Sequence, residues 1–296
     1  MKPIVFALPG NEAMAGRLVG LLDAERGELV VRGFPDGESY VRLVTGCSGA
    51  PVLMVATLDR PNDKVLPLLF AADTARDLGA TSVGLVAPYL AYMRQDTRFN
   101  PGEAITSRTF AALLSSHFDW LVTVDPHLHR FQSMAELYSI PASVVHAAPP
   151  MGDWIGANVP HPLVIGPDAE SEQWVREVAR FARCPYIVMT KERRGDRSVN
   201  ITVPDVSRWH GLNPVLVDDI ISTGTTLVEA ARLVRESGMG RPVVVAVHAV
   251  FAEGSAAGFK DTGIAPVVTC DTVPHPTNRI DCAALLAEAV IGQLNA

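Results

Sequence analysis

Short, uninterrupted apolar runs recur along the whole chain, and they constrain its fold more than any other feature. Residues 52–57 read Val-Leu-Met-Val-Ala-Thr and residues 83–87 read Val-Gly-Leu-Val-Ala, without polar alternation. Such a run is typical of a strand that is covered on both faces, as in a parallel sheet with helices on each side. The pattern predicts strands at 4–8, 52–57, 83–87, 120–124, 163–165, 187–189, 215–217, 243–251 and 267–269.

Amphipathic segments lie between these runs and predict helices. Residues 64–78 end at Gly79, and residues 227–237 begin after Thr225 or Thr226 and end at Gly238. Further helices are predicted at 12–22, 106–116, 171–181 and 282–294. Strands and helices in alternation predict an α/β chain with two doubly wound parallel sheets. The proline and glycine residues of 146–152 mark a boundary between a domain at 1–146 and a domain at 147–296.

Composition excludes several classes of protein. The chain has 296 residues, of which 48% are hydrophobic, so it is not mostly disordered. Its net charge is -7 and neither half is basic, so we expect no nucleic acid and no membrane as partner. The four cysteines form no Cys-x-x-Cys pair, which argues against a zinc ribbon or a redox motif and predicts a reduced, cytoplasmic location.

The segment 215–227 carries the sharpest chemical signal. An apolar strand ends in Asp218 and Asp219, and a loop of hydroxyl residues with one glycine then leads into a helix. Ligands of open α/β sheets bind at the carboxyl ends of strands, and N–H groups at a helix start cradle phosphate. The sequence therefore predicts a ribose 5-phosphate site formed by Asp218, Asp219, Ser222, Thr223, Gly224, Thr225 and Thr226. The alternative is an ordinary acidic strand end before a capped helix.

The segment 216–227 resembles the loop of type I phosphoribosyltransferases that binds 5-phosphoribosyl 1-diphosphate (PRPP). Nearly the whole chain resembles the ribose-phosphate pyrophosphokinase family. Within the loop, the sequence Ile-Ser-Thr-Gly at 221–224 is similar to that of archaeal-type members. The resemblance implies two domains of phosphoribosyltransferase type, the first for ATP and the second for ribose 5-phosphate. It also implies transfer of the β,γ-diphosphoryl group of ATP to ribose 5-phosphate, a Mg²⁺ cofactor, and a homo-oligomer whose adenine site lies at a subunit interface.

Two segments of the first domain match the family's ATP site. The segment Phe34-Pro-Asp-Gly-Glu38 matches an F-x-D-G-E motif, although from its residues alone a plain turn is the stronger reading. The run 88–96 matches a P-Y-x-x-Y-x-R-Q-D motif after a strand, where a guanidinium grips phosphate oxygens well. By resemblance the ATP-binding residues are Phe34, Asp36, Glu38, Arg94, Gln95 and Asp96. Asp96 either orients Arg94 or contacts the nucleotide.

Two further strand ends supply candidates for the metal. Asp125-Pro126-His127 matches the family's D-L-H segment, with a proline in place of the usual apolar residue. The resemblance places His127 beside the metal and the reacting phosphates. Asp168 either caps a helix or binds magnesium, and it matches the carboxylate of the family's P-D-x-G segment, whose glycine this chain lacks. For His129, which has no clear family counterpart, a surface role is the stronger reading.

Residues 191–197, Lys-Glu-Arg-Arg-Gly-Asp-Arg, are the densest basic cluster of the chain. A charge run alone is most often a solvated face, and the glycine predicts a mobile loop. The family has a K-x-R loop that closes over the phosphates, so the resemblance gives Lys191 and Arg193 catalytic roles. Two rival functions stay open: a catalytically silent homologue acting as a regulatory subunit, and a phosphoribosyltransferase that consumes PRPP.

Overall fold

The computed structural model describes residues 1–128, 130–168, 171–194, 198–202, 204–252, 264 and 266–296, with the backbone alone for 191–194 and 198–202. The chain divides into two compact units, residues 1–146 with 283–296 and residues 147–282. None of the helices in the described ranges is both long enough and apolar enough to cross a bilayer.

The first unit is a parallel sheet with helices. Its sheet has the order β2-β1-β5-β6-β7-β8, and β3 and β4 form a separate antiparallel hairpin. The elements are β1 (Ile4–Ala7), α1 (Glu12–Leu21), β2 (Glu25–Gly27), β3 (Leu29–Gly33), β4 (Ser39–Leu43), β5 (Pro51–Val55), α2 (Asn62–Asp77), β6 (Ser82–Ala87), α3 (Thr106–Ser115), β7 (Trp120–Val124) and β8 (Ala142–Val145).

The second unit repeats this plan. Its parallel sheet has the order β10-β9-β13-β14-β15-β16, and β11 and β12 form an antiparallel hairpin. The elements are α4 (Ala148–Asn158), β9 (Pro162–Gly166), α5 (Glu172–Ala182), β10 (Tyr186–Val188), β11 (Thr190–Arg194), β12 (Ser198–Thr202), β13 (Asn213–Ile221), α6 (Thr225–Glu236), β14 (Val243–Ala249), β15 (Val267–Cys270), β16 (Asn278–Ile280) and, beyond this unit, α7 (Ala283–Leu294).

The central strands are buried on both faces, as their unbroken apolar runs predict. Val52 and Met54 of β5 belong to a core cluster with α2, yet Leu53 and Val55 on the opposite face are equally inaccessible to solvent. In β13, Val215, Leu216 and Val217 are likewise fully buried. This confirms the predicted fold class, since a strand covered on both sides needs helices on both faces of its sheet.

The last helix lies with the first unit, whereas the sequence placed residues 283–296 in the second. Helix α7 packs on α1, β7 and β8 through Leu286 and Val290, both of which are buried. The Gln293 side chain donates to Ser143 Oγ at 2.7 Å, which fastens the end of α7 to β8. The physical reason is that the apolar face of α7 is covered by the first sheet. The sequence shows that α7 has an apolar face but does not show which of the two sheets covers it.

The proline-rich boundary is the start of a helix and not an irregular linker. Pro149 and Pro150 occupy the first turn of α4, where a missing N–H breaks no intrahelical hydrogen bond. Gly152 then lets α4 approach α5 closely, because a Cβ there would stand 2.7 Å from the carbonyl oxygen of Val178. Proline is common both in irregular linkers and in the first turn of a helix, so the sequence alone did not distinguish the two.

Candidate active site

The predicted ribose 5-phosphate loop lies at the carboxyl end of β13. β13 continues to Ile221, so Asp218, which pairs with Ala246 of β14, and Asp219 lie in the last half of the strand, towards the end of the parallel sheet where ligands bind. Ser222, Thr223 and Gly224 follow as the connection into α6, which begins at Thr225, two residues before the predicted start at Leu227. The Ala252 N–H donates to the carbonyl oxygen of Ser222 at 3.2 Å, which ties the loop to the end of the neighbouring strand.

Gly224 gives this loop its shape. It is the N-cap of α6 and has a φ of 74°, in the left-handed region that favours glycine. Thr223 Oγ1 accepts from the Thr225 hydroxyl at 3.1 Å, so the side chains of the turn are ordered around it. The first N–H groups of α6 have no partners within the helix, and with these hydroxyls they offer donors to a phosphate.

Asp218 is the electrostatic centre of this loop. Burial raises the pKa of Asp218 well above its ordinary value, and the nearby carboxylates of Asp219 and Asp168 raise that pKa further. Its own Oδ1 accepts from the Asp219 N–H at 3.0 Å. This hydrogen bond lowers the pKa of Asp218, but by less than burial and the neighbouring carboxylates raise it. Three carboxylates crowded together favour a ligand that brings hydroxyl donors or positive charge.

Asp168 follows β9, the neighbour of β13 in the sheet. Its Oδ1 accepts from the Ser171 N–H at 3.2 Å, and its carbonyl oxygen accepts from the Ser171 hydroxyl at 2.6 Å. Ser171 is itself the N-cap of α5, so Asp168 shapes the approach to that helix and still presents carboxylate charge to Asp218. The structure thus brings Asp168 close to the acidic pair, which its sequence position did not show.

The donor set of this edge fits a hard divalent cation. Among the residues that the structure describes, no group of three His, Cys, Asp or Glu side chains converges to hold a metal ion by itself. Mg²⁺ usually keeps several waters and is bound through one or two carboxylates and the phosphates of its substrate. The carboxylate cluster around Asp218 and Asp168 matches that mode of binding.

The predicted adenine residues occupy the turn of the β3–β4 hairpin. The Phe34 N–H donates to the carbonyl oxygen of Glu38 at 2.7 Å, and the Glu38 N–H donates to Asp36 Oδ1 at 3.1 Å. Phe34 is 41% exposed, and its ring lies 4.9 Å from the guanidinium carbon of Arg32. That guanidinium also covers the Tyr40 ring at 4.2 Å, so an arginine that the sequence reading missed holds the two rings together.

The predicted phosphate residues of the first unit follow β6. Arg94 is exposed, Gln95 is half-buried and Asp96 is buried. The Asp96 carboxylate accepts from Arg130 Nη1 at 2.8 Å, and the Arg130 guanidinium also lies over the Phe99 ring. Asp96 therefore contacts an arginine beyond the end of β7, a partner that the sequence reading did not anticipate.

Asp125 and His127 follow β7, next to β6 in the sheet. Asp125 has a φ of 32°, a left-handed conformation that costs a residue other than glycine about 1–3 kcal/mol. Its Oδ1 lies 2.8 Å from Nδ1 of His146, the residue after β8. This hydrogen bond to Asp125 raises the pKa of His146, while partial burial lowers it less. The sequence reading treated His146 only as part of a boundary.

Lys191 and Arg193 lie on β11, where the sequence predicted a mobile loop. Residues 191–194 form a strand that pairs antiparallel with β12, and Lys191 stands opposite Ile201. The mobility of this hairpin stays a prediction. Residues 195–197 lie outside the described residues, as does His129. In sequence, β11 carries four consecutive charged residues, Lys-Glu-Arg-Arg, whereas β12, Ser-Val-Asn-Ile-Thr, alternates polar and apolar residues.

Comparison with known proteins agrees with this arrangement. Residues 3–117 match the model of the N-terminal domain of ribose phosphate pyrophosphokinase, and residues 133–284 match the phosphoribosyl transferase domain. A ribose-phosphate pyrophosphokinase of Methanopyrus kandleri is 35% identical, over 97% of this chain and 98% of that protein. The chain belongs to the ribose-phosphate pyrophosphokinase family. Ribose-phosphate pyrophosphokinase 2 of Archaeoglobus fulgidus is 33% identical over 97% of this chain and 99% of its own length.

A solved member of the family has the same fold. The crystal structure of phosphoribosylpyrophosphate synthetase from Mycobacterium smegmatis superposes with a TM-score of 0.86. It covers 100% of this chain and 99% of that chain at 24% sequence identity. The ribose-phosphate pyrophosphokinase fold therefore extends over both units, and the relatives confirm that the chain is an enzyme of this family.

Proposed function

We propose that this enzyme makes PRPP and AMP from ATP and ribose 5-phosphate. The bond that forms joins the ribose 1-oxygen to the β-phosphorus of ATP, and the bond that breaks joins that phosphorus to the oxygen shared with the α-phosphate. The observation that carries the proposal is the β13–α6 loop, in which a half-buried acidic pair precedes a glycine-capped helix start. Full-length relatives named ribose-phosphate pyrophosphokinase support the same reaction.

In this proposal the second unit binds the acceptor. Asp218 and Asp219 accept hydrogen bonds from ribose hydroxyls, which stabilises the ionised form of Asp218 against the burial and the repulsion that raise its pKa. The 5-phosphate is held by N–H groups and hydroxyls of the loop formed by Ser222, Thr223, Gly224, Thr225 and Thr226. Charge-assisted bonds from donors to phosphate are among the stronger hydrogen bonds in proteins.

The first unit binds ATP. Phe34 stacks on adenine while Asp36 and Glu38 accept from its amino group, and Arg94 and Gln95 hold the phosphates. The exposure of Phe34 supports a ring that takes a ligand on its outer face. Asp96 assists through its ion pair with Arg130. Since adenine sites of the family are completed by a second subunit, we also propose a homo-oligomer.

Mg²⁺ is the proposed cofactor, with Asp168 and His127 as its protein neighbours. Bound to ATP, it would neutralise phosphate charge and help to place the β-phosphorus for attack. Asp168 supports this role by contributing carboxylate charge beside Asp218. Lys191 and Arg193 are proposed to neutralise the charge of the transferring diphosphoryl group, because positioning and electrostatics dominate phosphoryl transfer.

A direct assay tests the proposal. The purified chain is incubated with ATP, Mg²⁺ and ribose 5-phosphate, and AMP and PRPP are measured together. Equal amounts of both products are expected, and neither should form without ribose 5-phosphate. A silent regulatory homologue would release no AMP, and a phosphoribosyltransferase would need PRPP and a base instead. Its free cysteines also favour the cytoplasm as the site of action.

A further inference from the structure

Two side-chain contacts to aspartates flank the chain segment that carries His127. At its start, His146 Nδ1 lies 2.8 Å from Asp125 Oδ1. Beyond its end, Arg130 Nη1 lies 2.8 Å from Asp96 Oδ1. The segment of residues 125–128 therefore leaves β7 between two side-chain contacts, one made to the residue after β8 and the other to the segment after β6.

The contact with β8 is doubled. The Asp125 N–H donates to the carbonyl oxygen of Val145 at 3.0 Å, and the next residue of the chain, His146, bonds the Asp125 side chain. A carboxylate oxygen only accepts, so the His146 Nδ1 carries the hydrogen and donates it. The direction of the pKa shift of His146 agrees, because a hydrogen bond to Asp125 stabilises the protonated ring.

Asp125 needs such support because of its backbone. Its φ of 32° lies in a region that few residues other than glycine adopt, and such conformations persist only where neighbouring groups hold them. The conformation of Asp125 sets the direction in which the chain continues to His127, two residues later. A group that fixes the Asp125 carboxylate therefore also fixes where His127 stands.

We propose that His146 is a positioning residue for the reaction, acting through Asp125 to hold the 125–128 segment and its His127. The inference rests on the proposed function, in which His127 stands beside the reacting phosphates. The side chain of Asp125 is 10% exposed and that of His146 is 69% exposed. His146 thus covers the carboxylate from the solvent side, and its replacement leaves no internal cavity.

The test compares two substitutions that differ in one donor. His146→Asn places an amide N–H close to the position of the imidazole Nδ1, whereas His146→Leu removes the donor at similar size. We expect His146→Leu to lower kcat about 10- to 100-fold, since small misplacements near reacting groups have effects of this size. The KM for ribose 5-phosphate should stay unchanged, and His146→Asn should restore most of kcat.

The matched control is His117→Leu. His117 precedes β7, at the other end of the same strand, and its Nε2 faces Asp73 at 3.6 Å in another His–Asp pair. It should leave kcat and both KM values as in the unchanged enzyme. If His146→Leu had normal kcat, or if His146→Asn were as impaired as His146→Leu, the inference would be overturned.

A second measurement is independent of activity. Hydrogen–deuterium exchange of the peptide that spans residues 120–128 should be faster in His146→Leu and unchanged in His146→Asn and His117→Leu. Equal exchange in all variants would contradict a positioning role. An unchanged enzyme that releases no AMP would instead refute the proposed function, while the exchange experiment would still decide the role of His146.

Discussion

The two units use the same strand order but different loops at the same place. In the second unit, β13 leads through Asp218, Asp219 and Gly224 into α6. In the first, β5 leads through Thr57 and Asp59 into α2. There Lys64 donates to the carbonyl oxygen of Thr57 at 3.0 Å and pairs with Asp59. The corresponding loop of the first unit is thus held by side chains from outside it, since Lys64 lies on α2 and the Thr57 N–H donates to Asn11 Oδ1 at 2.8 Å.

This difference shows that the shared topology fixes where the loop lies, whereas the residues of the loop decide which ligand it can bind. The β13–α6 loop brings a crowded acidic cluster together with the first N–H groups of α6. In the first unit, the candidate nucleotide residues lie instead after β6, after β7 and on the β3–β4 hairpin. The two hairpins occupy equivalent places, yet one carries Phe34 and the other carries Lys191 and Arg193.

The largest effect is expected at the basic hairpin of the second unit. Lys191→Ala should lower kcat about 10²- to 10³-fold, because a group that neutralises transition-state charge is lost. The affinity for ribose 5-phosphate, measured by calorimetry, should stay unchanged. Lys2→Ala serves as the control. Lys2 is exposed on the surface of the first unit, where its ammonium group pairs with Asp23. Near-normal turnover of Lys191→Ala would remove this hairpin from the mechanism.

Asp218→Asn should separate binding from stability. We expect the KM for ribose 5-phosphate to rise about 10- to 100-fold, since a charged acceptor is lost. The ligand-free protein should nevertheless melt at a higher temperature near neutral pH, by the few degrees that about 1 kcal/mol gives. Burial and neighbouring carboxylates destabilise the ionised form, so its replacement by a neutral amide relieves that strain.

The pH dependence of this effect has a definite sign. Because the folded-state pKa of Asp218 is raised, its favourable contribution exists at acidic pH and is lost as pH rises through the raised pKa. The gain in melting temperature of Asp218→Asn should therefore be larger at pH 8 than at pH 5. Asp153→Asn, a change at an exposed position of α4, should show no such difference. A gain independent of pH would contradict this explanation.

Gly224→Ala tests the shape of the loop against the strain of its backbone. A side chain at a φ of 74° costs about 1–2 kcal/mol and displaces the turn, so KM for ribose 5-phosphate should rise up to about tenfold. Gly238→Ala is the matched control, because Gly238 has a φ of 85° after the opposite end of α6. Both variants should lose similar stability in urea unfolding, and KM should rise in Gly224→Ala alone.

The smallest effect on catalysis is expected in the β5–α2 loop, which corresponds in the first unit to the β13–α6 loop of the second. Lys64→Met should lower the free energy of unfolding by about 1 kcal/mol, because the half-buried Asp59 and the Thr57 carbonyl lose a donor. Both KM values and kcat should remain as in the unchanged enzyme. A marked loss of activity at normal stability would show that this loop also serves the substrate, and the contrast between the units would fail.

The sequence predicted the central strands and the β13–α6 loop because their signals are local. Unbroken apolar runs mark β5 and β6, and the order of acids, glycine and hydroxyls marks the loop. Short or polar strands escaped prediction. Strands β2 and β16 have 3 residues each, too few for a periodic pattern. Hairpin β3–β4 is mostly half-buried, and its residues do not alternate strongly between apolar and polar.

The sequence by itself determined the fold class, the family and the types of residue that handle sugar, phosphate and base. Only the tertiary structure decided that α7 completes the first unit, that Asp168 stands near Asp218, and that His146 and Arg130 contact Asp125 and Asp96. The physical reason is range. Burial pattern and turn chemistry are written within a few residues, whereas these contacts join strand ends that become neighbours only when the parallel sheets form.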